Sequence, residues 1–141
     1  MHRWVSTLQR EQIAALEERL AARHFDAEDI QQVAAPLRKY APQLFEVVTY
    51  DDDQEAVQFS AGLWLVMHAA GWQENFVHVK PALAGVIAGV VAYVSEDAPK
   101  RTKAAAWALV LGLKAKHIDA SVREIEHAPK NLINVTVGIK P

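Results

Sequence analysis

Apolar positions are sparse near the start of the chain and dense after residue 44, and this contrast divides it. In the first stretch Ile13, Leu16 and Leu20 recur at the three-four spacing of one helical face, surrounded by Arg10, Glu11, Glu17, Glu18, Arg19 and Arg23. Ser6 is placed to cap this helix, with Gln9 in its first turn. So thin a stripe predicts a solvated helical arm over residues 1–23 that needs a partner, and a short coiled coil would provide one. A second helix is expected after Asp26, with Ile30, Val33, Ala34 and Leu37 on one face, and it must bend or stop near Pro36.

From Leu44 the period changes from helical to alternating. Leu44-Phe45-Glu46-Val47-Val48-Thr49-Tyr50 is rich in β-branched and aromatic residues and ends in a polar cluster, as a strand does. Asp52, followed by Glu55, reads as a capping-box start for a helix running to Ala70, with Gly71 as its left-handed stop. Phe76–Val79 is expected to be a second strand. Val86–Val94 is apolar on both alternating faces, which marks a central strand covered on both sides. Asp97 and Pro99 then start a helix carrying Ala106, Trp107, Val110 and Leu113 that ends near Lys116-His117. Ser121–Glu126 and Leu132–Ile139 close the chain as strands, joined by the turn Ala128-Pro129-Lys130-Asn131.

Val47-Val48-Thr49-Tyr50 before one helix and Val90-Val91-Ala92-Tyr93 before the other point to a doubled strand–helix–strand unit. Two folds accommodate it. One is a three-layer α/β arrangement, with a mostly parallel or mixed sheet of about five strands and helices on both faces; the other is a ferredoxin-like βαββαβ sheet. A link of about five to eight residues between the second and third strands suits a hairpin, because a parallel crossover usually takes a dozen or more. The two-sided burial expected of the first and third strands favours the three-layer fold, and the helix over 26–40 can cover the second face in either fold.

Composition narrows the function classes. A chain of 141 residues fits one domain, read as residues 24–141 behind the arm, and 51% hydrophobic with 23% charged residues is globular composition. A formal net charge of -2 gives no reason to expect a nucleic-acid partner. With no cysteine, disulfides, thiolate catalysis and cysteine-based zinc sites are excluded. The N-terminal residues lack the apolar core of a signal peptide, and no apolar run approaches the ~20 residues of a bilayer span, so the chain as given is expected to be soluble.

Two charged loops carry the candidate chemistry. Asp51, Asp52 and Asp53 follow the first strand, where open α/β sheets bind ligands, and clustered carboxylates can hold magnesium. The plainer reading gives one aspartate to the helix cap, one to its dipole and one to solvent. The second loop, Ser95 to Lys103, is odder, because Lys100, Arg101 and Lys103 oppose the positive end of a helix dipole. An anion nearby would resolve that, either a small phosphate or carboxylate ligand or the aspartates themselves. A parallel sheet would bring the two loops to the same end and an antiparallel one would separate them. No catalytic residues are assigned: there is no nucleophile elbow, Walker loop or dinucleotide fingerprint. No metal ligands are assigned either, since His2, His24, His68, His78, His117 and His127 form no helical i, i+4 pair. The helices bearing Trp64 and Trp107 are apolar nearly all round and predict self-association.

Phe45–Tyr50, Ala69-Ala70-Gly71-Trp72 and the closing Val137-Gly138-Ile139-Lys140-Pro141 together resemble a recurring, uncharacterised bacterial domain. In its members a transmembrane segment is often followed by a charged helical linker and then by this soluble α/β unit. The resemblance covers roughly residues 24–141, and the combination carries it, not any single motif. It implies a soluble domain displayed by a membrane-associated protein, with residues 1–23 in the place of the linker; it supplies no activity, and this chain departs in showing no membrane segment. With the missing catalytic motifs and the apolar helices, the reading is a non-enzymatic binding, sensing or interaction domain that works as a homo-oligomer. The alternative is a magnesium-dependent phosphate- or nucleotide-handling domain using both charged loops. Similarity to response-regulator receiver domains is confined to the acidic cluster and the final Lys140-Pro141, because no helix separates the last two strands.

Overall fold

A computed structural model describes residues 9–13, 22–49, 53–75 and 87–141. The expectations for Ser6, Leu16 and Leu20, for Asp51 and Asp52, and for a strand over Phe76–Val79 lie outside them. Residues 9–13 are helical and exposed, as expected of a solvated arm.

Helix α1 (Ala27–Ala34) starts from a reciprocal cap. The Asp29 N–H donates to Asp26 Oδ1 at 2.8 Å, and the Asp26 N–H donates to Asp29 Oδ2 at 3.2 Å. At Pro36, which has no N–H to continue the α ladder, the chain tightens into a 3-10 helix over Ala35–Tyr40. Strand β1 (Leu44–Thr49) leads to helix α2 (Gln54–Ala69), which ends at Gly71 with φ 80°. A short β2 (Gln73–Glu74) follows directly, earlier than the sequence pattern implied. Strand β3 (Val90–Ser95), helix α3 (Lys100–Ala115), β4 (Ala120–Ile125) and β5 (Leu132–Val137) complete the order.

The strands form one mixed sheet in the order β2-β1-β5-β3-β4. β1 is parallel to β2 and β5, β3 is parallel to β4, and β3 and β5 are antiparallel. The doubled unit is therefore present as β1-α2-β2 and β3-α3-β4, running in opposite directions on either side of β5. The strand at the centre is the last in the chain, and all six of its residues are buried. β1 and β3 are not neighbours.

One sheet face carries Phe45, Val90, Ala92, Val94, Ile133, Val135 and Val137, which pack in a single cluster with Phe59 and Leu63 of α2 and Leu109 and Leu113 of α3. Each valine, isoleucine, leucine and phenylalanine among them contributes roughly 1.5–3 kcal/mol on burial. Helix α1 adds Val33 and Ala34 to the same cluster and contacts both α2 and α3. It therefore packs on the face these helices already cover, not on the opposite one as expected, because its Val33-Ala34-Leu37 stripe matches the helices and not the sheet. The second face is buried as well, with Val91 3% and Tyr93 1% exposed, so both sides of the central strands are covered, consistent with a three-layer α/β fold.

The closing Val-Gly-x-Lys-Pro segment has a steric reason for its glycine. A Cβ at Gly138 would lie 2.3 Å from the Ile87 carbonyl oxygen, and the Gly138 N–H donates to Gly89 O at 2.7 Å. Only glycine allows this close approach beyond the end of β5.

Candidate functional site

Because β1 and β5 run one way and β3 the other, the loops after β1 and β3 leave opposite ends of the sheet. The crevice that would have combined both loops is not formed. At one end Asp53, not Asp52, caps α2: its Oδ1 accepts from the Ala56 N–H at 3.1 Å. At the other end Ser95 is buried at the tip of β3, and its Oγ accepts from the Asp97 N–H at 3.1 Å.

The cations at the start of α3 are answered locally. Arg101 Nη2 donates to the Lys39 carbonyl at 2.6 Å, with the guanidinium 5.8 Å from the Tyr40 ring centroid. Lys103 Nζ donates to the Glu96 carbonyl at 2.8 Å and lies 2.6 Å from Glu124 Oε1. The anion the dipole argument called for is thus supplied by β4, and Lys100 stays exposed. Among the described residues no three acidic, histidine or cysteine side chains converge as a metal site.

The second sheet face holds groups that alternation alone would have assigned to solvent. Glu46 of β1 is in register with Asn134 of β5, and the two are 4% and 7% exposed. Thr136 Oγ1 donates to Asn134 Oδ1 at 2.6 Å, and Asn134 Nδ2 donates to Glu46 Oε2 at 3.3 Å. Tyr93 of β3 sits opposite Asn134 across the antiparallel pair. The result is a directional chain of hydrogen bonds that ends on a buried carboxylate, an arrangement whose worth depends on every member being satisfied. Its signals in the sequence were Glu46 inside an otherwise apolar strand and the Asn134, Thr136 alternation in the last one.

A third arrangement ties residues far apart in sequence. The side chain of Arg23 is only 5% exposed. Its Nε donates to Glu55 Oε2 at 2.9 Å, while Nη2 reaches Glu55 Oε1 at 2.5 Å and the Gly138 carbonyl at 2.8 Å. The guanidinium also lies 4.7 Å from the Phe59 ring centroid. Hydrogen bonding from Arg23 holds the Glu55 carboxyl below the ordinary glutamate range against the opposing effect of burial. Glu55, read from sequence as a capping partner, is instead the anchor for the end of the arm.

Of the tryptophans that are described, Trp72 is core, with Nε1 donating to the Leu37 carbonyl at 3.0 Å. Trp64 is half-buried, stacks on His68 and donates to Glu74 Oε2 at 2.8 Å. Trp107 differs: it is 50% exposed, and Leu111, one turn later on α3, is 60% exposed. On α2, Val57 and Leu65 are also exposed. No helix among the described residues is long and apolar enough to cross a membrane.

No family model matches the chain, and no curated protein or solved structure matches it either.

Proposed function

We propose that this chain is a non-enzymatic binding, sensing or interaction domain of a membrane-associated bacterial protein, and that it works as a homo-oligomer through the outer face of α3. The observation that carries the reading is the exposed pair Trp107 and Leu111. Tryptophan is the residue most enriched at the energetic centres of protein interfaces, and an i, i+4 apolar pair on a helix is a continuous surface. The domain's own core has no use for it, since Ala105, Ala106, Leu109, Val110 and Leu113 already fill the buried side of the helix. The membrane context rests on the resemblance of residues 24–141 to domains that follow a transmembrane segment. The phosphate-handling alternative requires Asp51–Asp53 and Lys100–Lys103 in one crevice, and nothing in the geometry favours it.

The test is the mass in solution of the whole chain and of a Trp107→Ser/Leu111→Ser variant, measured by light scattering across a concentration series. The proposal expects a concentration-dependent oligomer that the variant reduces to a single chain. Equal masses at all concentrations would remove α3 as the interface.

A further inference from the structure

We infer that the end of the sheet where β1 and β5 begin carries a binding site for a small oxyanion, a phosphate or carboxylate group with a neighbouring hydroxyl. A cavity of about 320 Å³ there is lined by Tyr40, Gln43, Arg101, Thr102 and Asn131, with Leu44 in its apolar wall. Three segments meet at it: the 3-10 helix with its link to β1, the first turn of α3, and the turn before β5. The site does not depend on the Trp107 and Leu111 surface, which lies further along α3.

The start of α3 supplies donors without acceptors. Its N-cap is Pro99, which makes no side-chain cap, and its first turn contains no acidic residue. The Lys103 N–H opens the helical ladder by donating to the Pro99 carbonyl at 3.1 Å. The Arg101 and Thr102 N–H groups before it are left to an outside acceptor, at the positive end of a 16-residue helix. Glu124 pairs with Lys103, whereas Arg101 has only the neutral Lys39 carbonyl and the face of the Tyr40 ring, so its charge has no counterion among the described residues.

A helix start alone would be met by water, and a second observation separates this one. Thr102 and Gln43 are 5% and 6% exposed, yet each keeps an oxygen that makes no hydrogen bond among the described residues. Gln43 Nε2 donates to the Leu44 and Asn131 carbonyls at 2.9 and 2.7 Å, which fixes the amide and leaves Oε1 unbonded. The Thr102 hydroxyl is likewise unbonded. Neither oxygen is among the unpartnered side-chain atoms sealed from solvent, so each stays accessible, and the cavity that both residues line is the opening they share. Polar atoms held in this way call for a partner inside the cavity. Two backbone N–H groups, a hydroxyl and the guanidinium of Arg101 suit an oxyanion. Gln43 Oε1 can only accept, which asks the ligand for a hydroxyl beside its charged group. No carboxylate is among the described lining residues to repel the anion. The cations that the sequence pattern placed in one loop thus divide: Lys103 turns to β4, and Arg101 turns to the 3-10 helix and this cavity.

The experiment is an amide-resolved NMR titration of the full chain with inorganic phosphate, glycolate and acetate in turn, at ionic strength held constant with sodium chloride. The inference expects saturable shifts clustered at residues 40–44, 99–102 and 131, with glycolate bound more tightly than acetate, which lacks the hydroxyl. Arg101→Gln and Thr102→Val should each weaken binding roughly tenfold, whereas Lys114→Gln, which removes the same charge from the far end of α3, should bind as the parent does. If Thr102→Val loses its fold, Arg101→Gln alone decides, since Arg101 is exposed. Saturation by phosphate only, by glycolate only or by both supports the site and names the anion. Shifts that do not saturate, that lie elsewhere, that are equal for glycolate and acetate, or that survive unchanged in Arg101→Gln would overturn it.

Discussion

The two faces of the central sheet are both buried, yet they are built on different chemistry. Toward the helices β5 presents Ile133, Val135 and Val137; toward the other side the same strand presents Leu132, Asn134 and Thr136. The first face can be filled by any set of apolar side chains of the right volume, and it supplies most of the favourable free energy. The second face includes a carboxylate, an amide and a hydroxyl that must find one another, so it constrains register more than it adds stability. A one-residue slip of β1 against β5 would separate Glu46 from Asn134 and also turn Phe45 out of the core.

The largest effect should come from the apolar face. Ile133→Ala, at a site with 0% exposure, is expected to cost about 2–5 kcal/mol in denaturant unfolding, by lost transfer free energy and the cavity left behind. A loss below 1 kcal/mol would mean that the helix-covered face is loosely packed. On the polar face Asn134→Ala removes the middle of the chain and strands Glu46 and Thr136, for an expected loss of about 2–3 kcal/mol. The sharper version replaces all three, Glu46→Leu, Asn134→Leu and Thr136→Val. It should be close to neutral or stabilising, because exchanging a buried polar set for apolar groups removes the desolvation cost with the bonds. A triple variant much less stable than Asn134→Ala would show that the polar chain adds stability beyond fixing register.

The smallest of the three effects concerns the tie at the rim of the apolar face. Arg23→Met should cost about 1–2 kcal/mol near neutral pH, discounted because Glu55 remains partly exposed. Its pH dependence has a definite sign. The folded Glu55 carboxyl is held below its unfolded value, so the folded state binds this proton less readily. The contribution is therefore fully present above the ordinary carboxylate range and is lost as pH falls through the depressed value. Melting curves of parent and variant should converge on acidification, while Asp29, held low by its hydrogen bond to Lys116, leaves a residual acid sensitivity in both. Parallel curves would exclude Glu55 as the titrating group.

Local signals made the elements legible and left the topology open. The β-branched run at Phe45–Thr49, the stop at Gly71 and the Pro99 start fix β1, α2 and α3 to within a residue or two. Strand order was not legible, because β5 enters between β1 and β3 and no link length encodes that insertion. The site expectation failed with it: two loops drawn to one crevice by an assumed adjacency lie at opposite ends. The partners that replaced it are long-range. Lys103 meets Glu124 on the neighbouring strand, and Arg23 meets Glu55 across the domain. Asp53 takes the cap where Asp52 was expected, the one-residue ambiguity usual at helix ends.

The most direct test of the interaction reading uses the absence of native cysteine. A spin label on Lys114→Cys, exposed two turns from Trp107 and one turn from Leu111, reports the distance between copies of α3 by pulsed dipolar spectroscopy. A discrete interchain distance, abolished by adding Trp107→Ser/Leu111→Ser, is the predicted result. A featureless decay in the parent chain, at concentrations where light scattering finds an oligomer, would place the interface elsewhere and contradict the account.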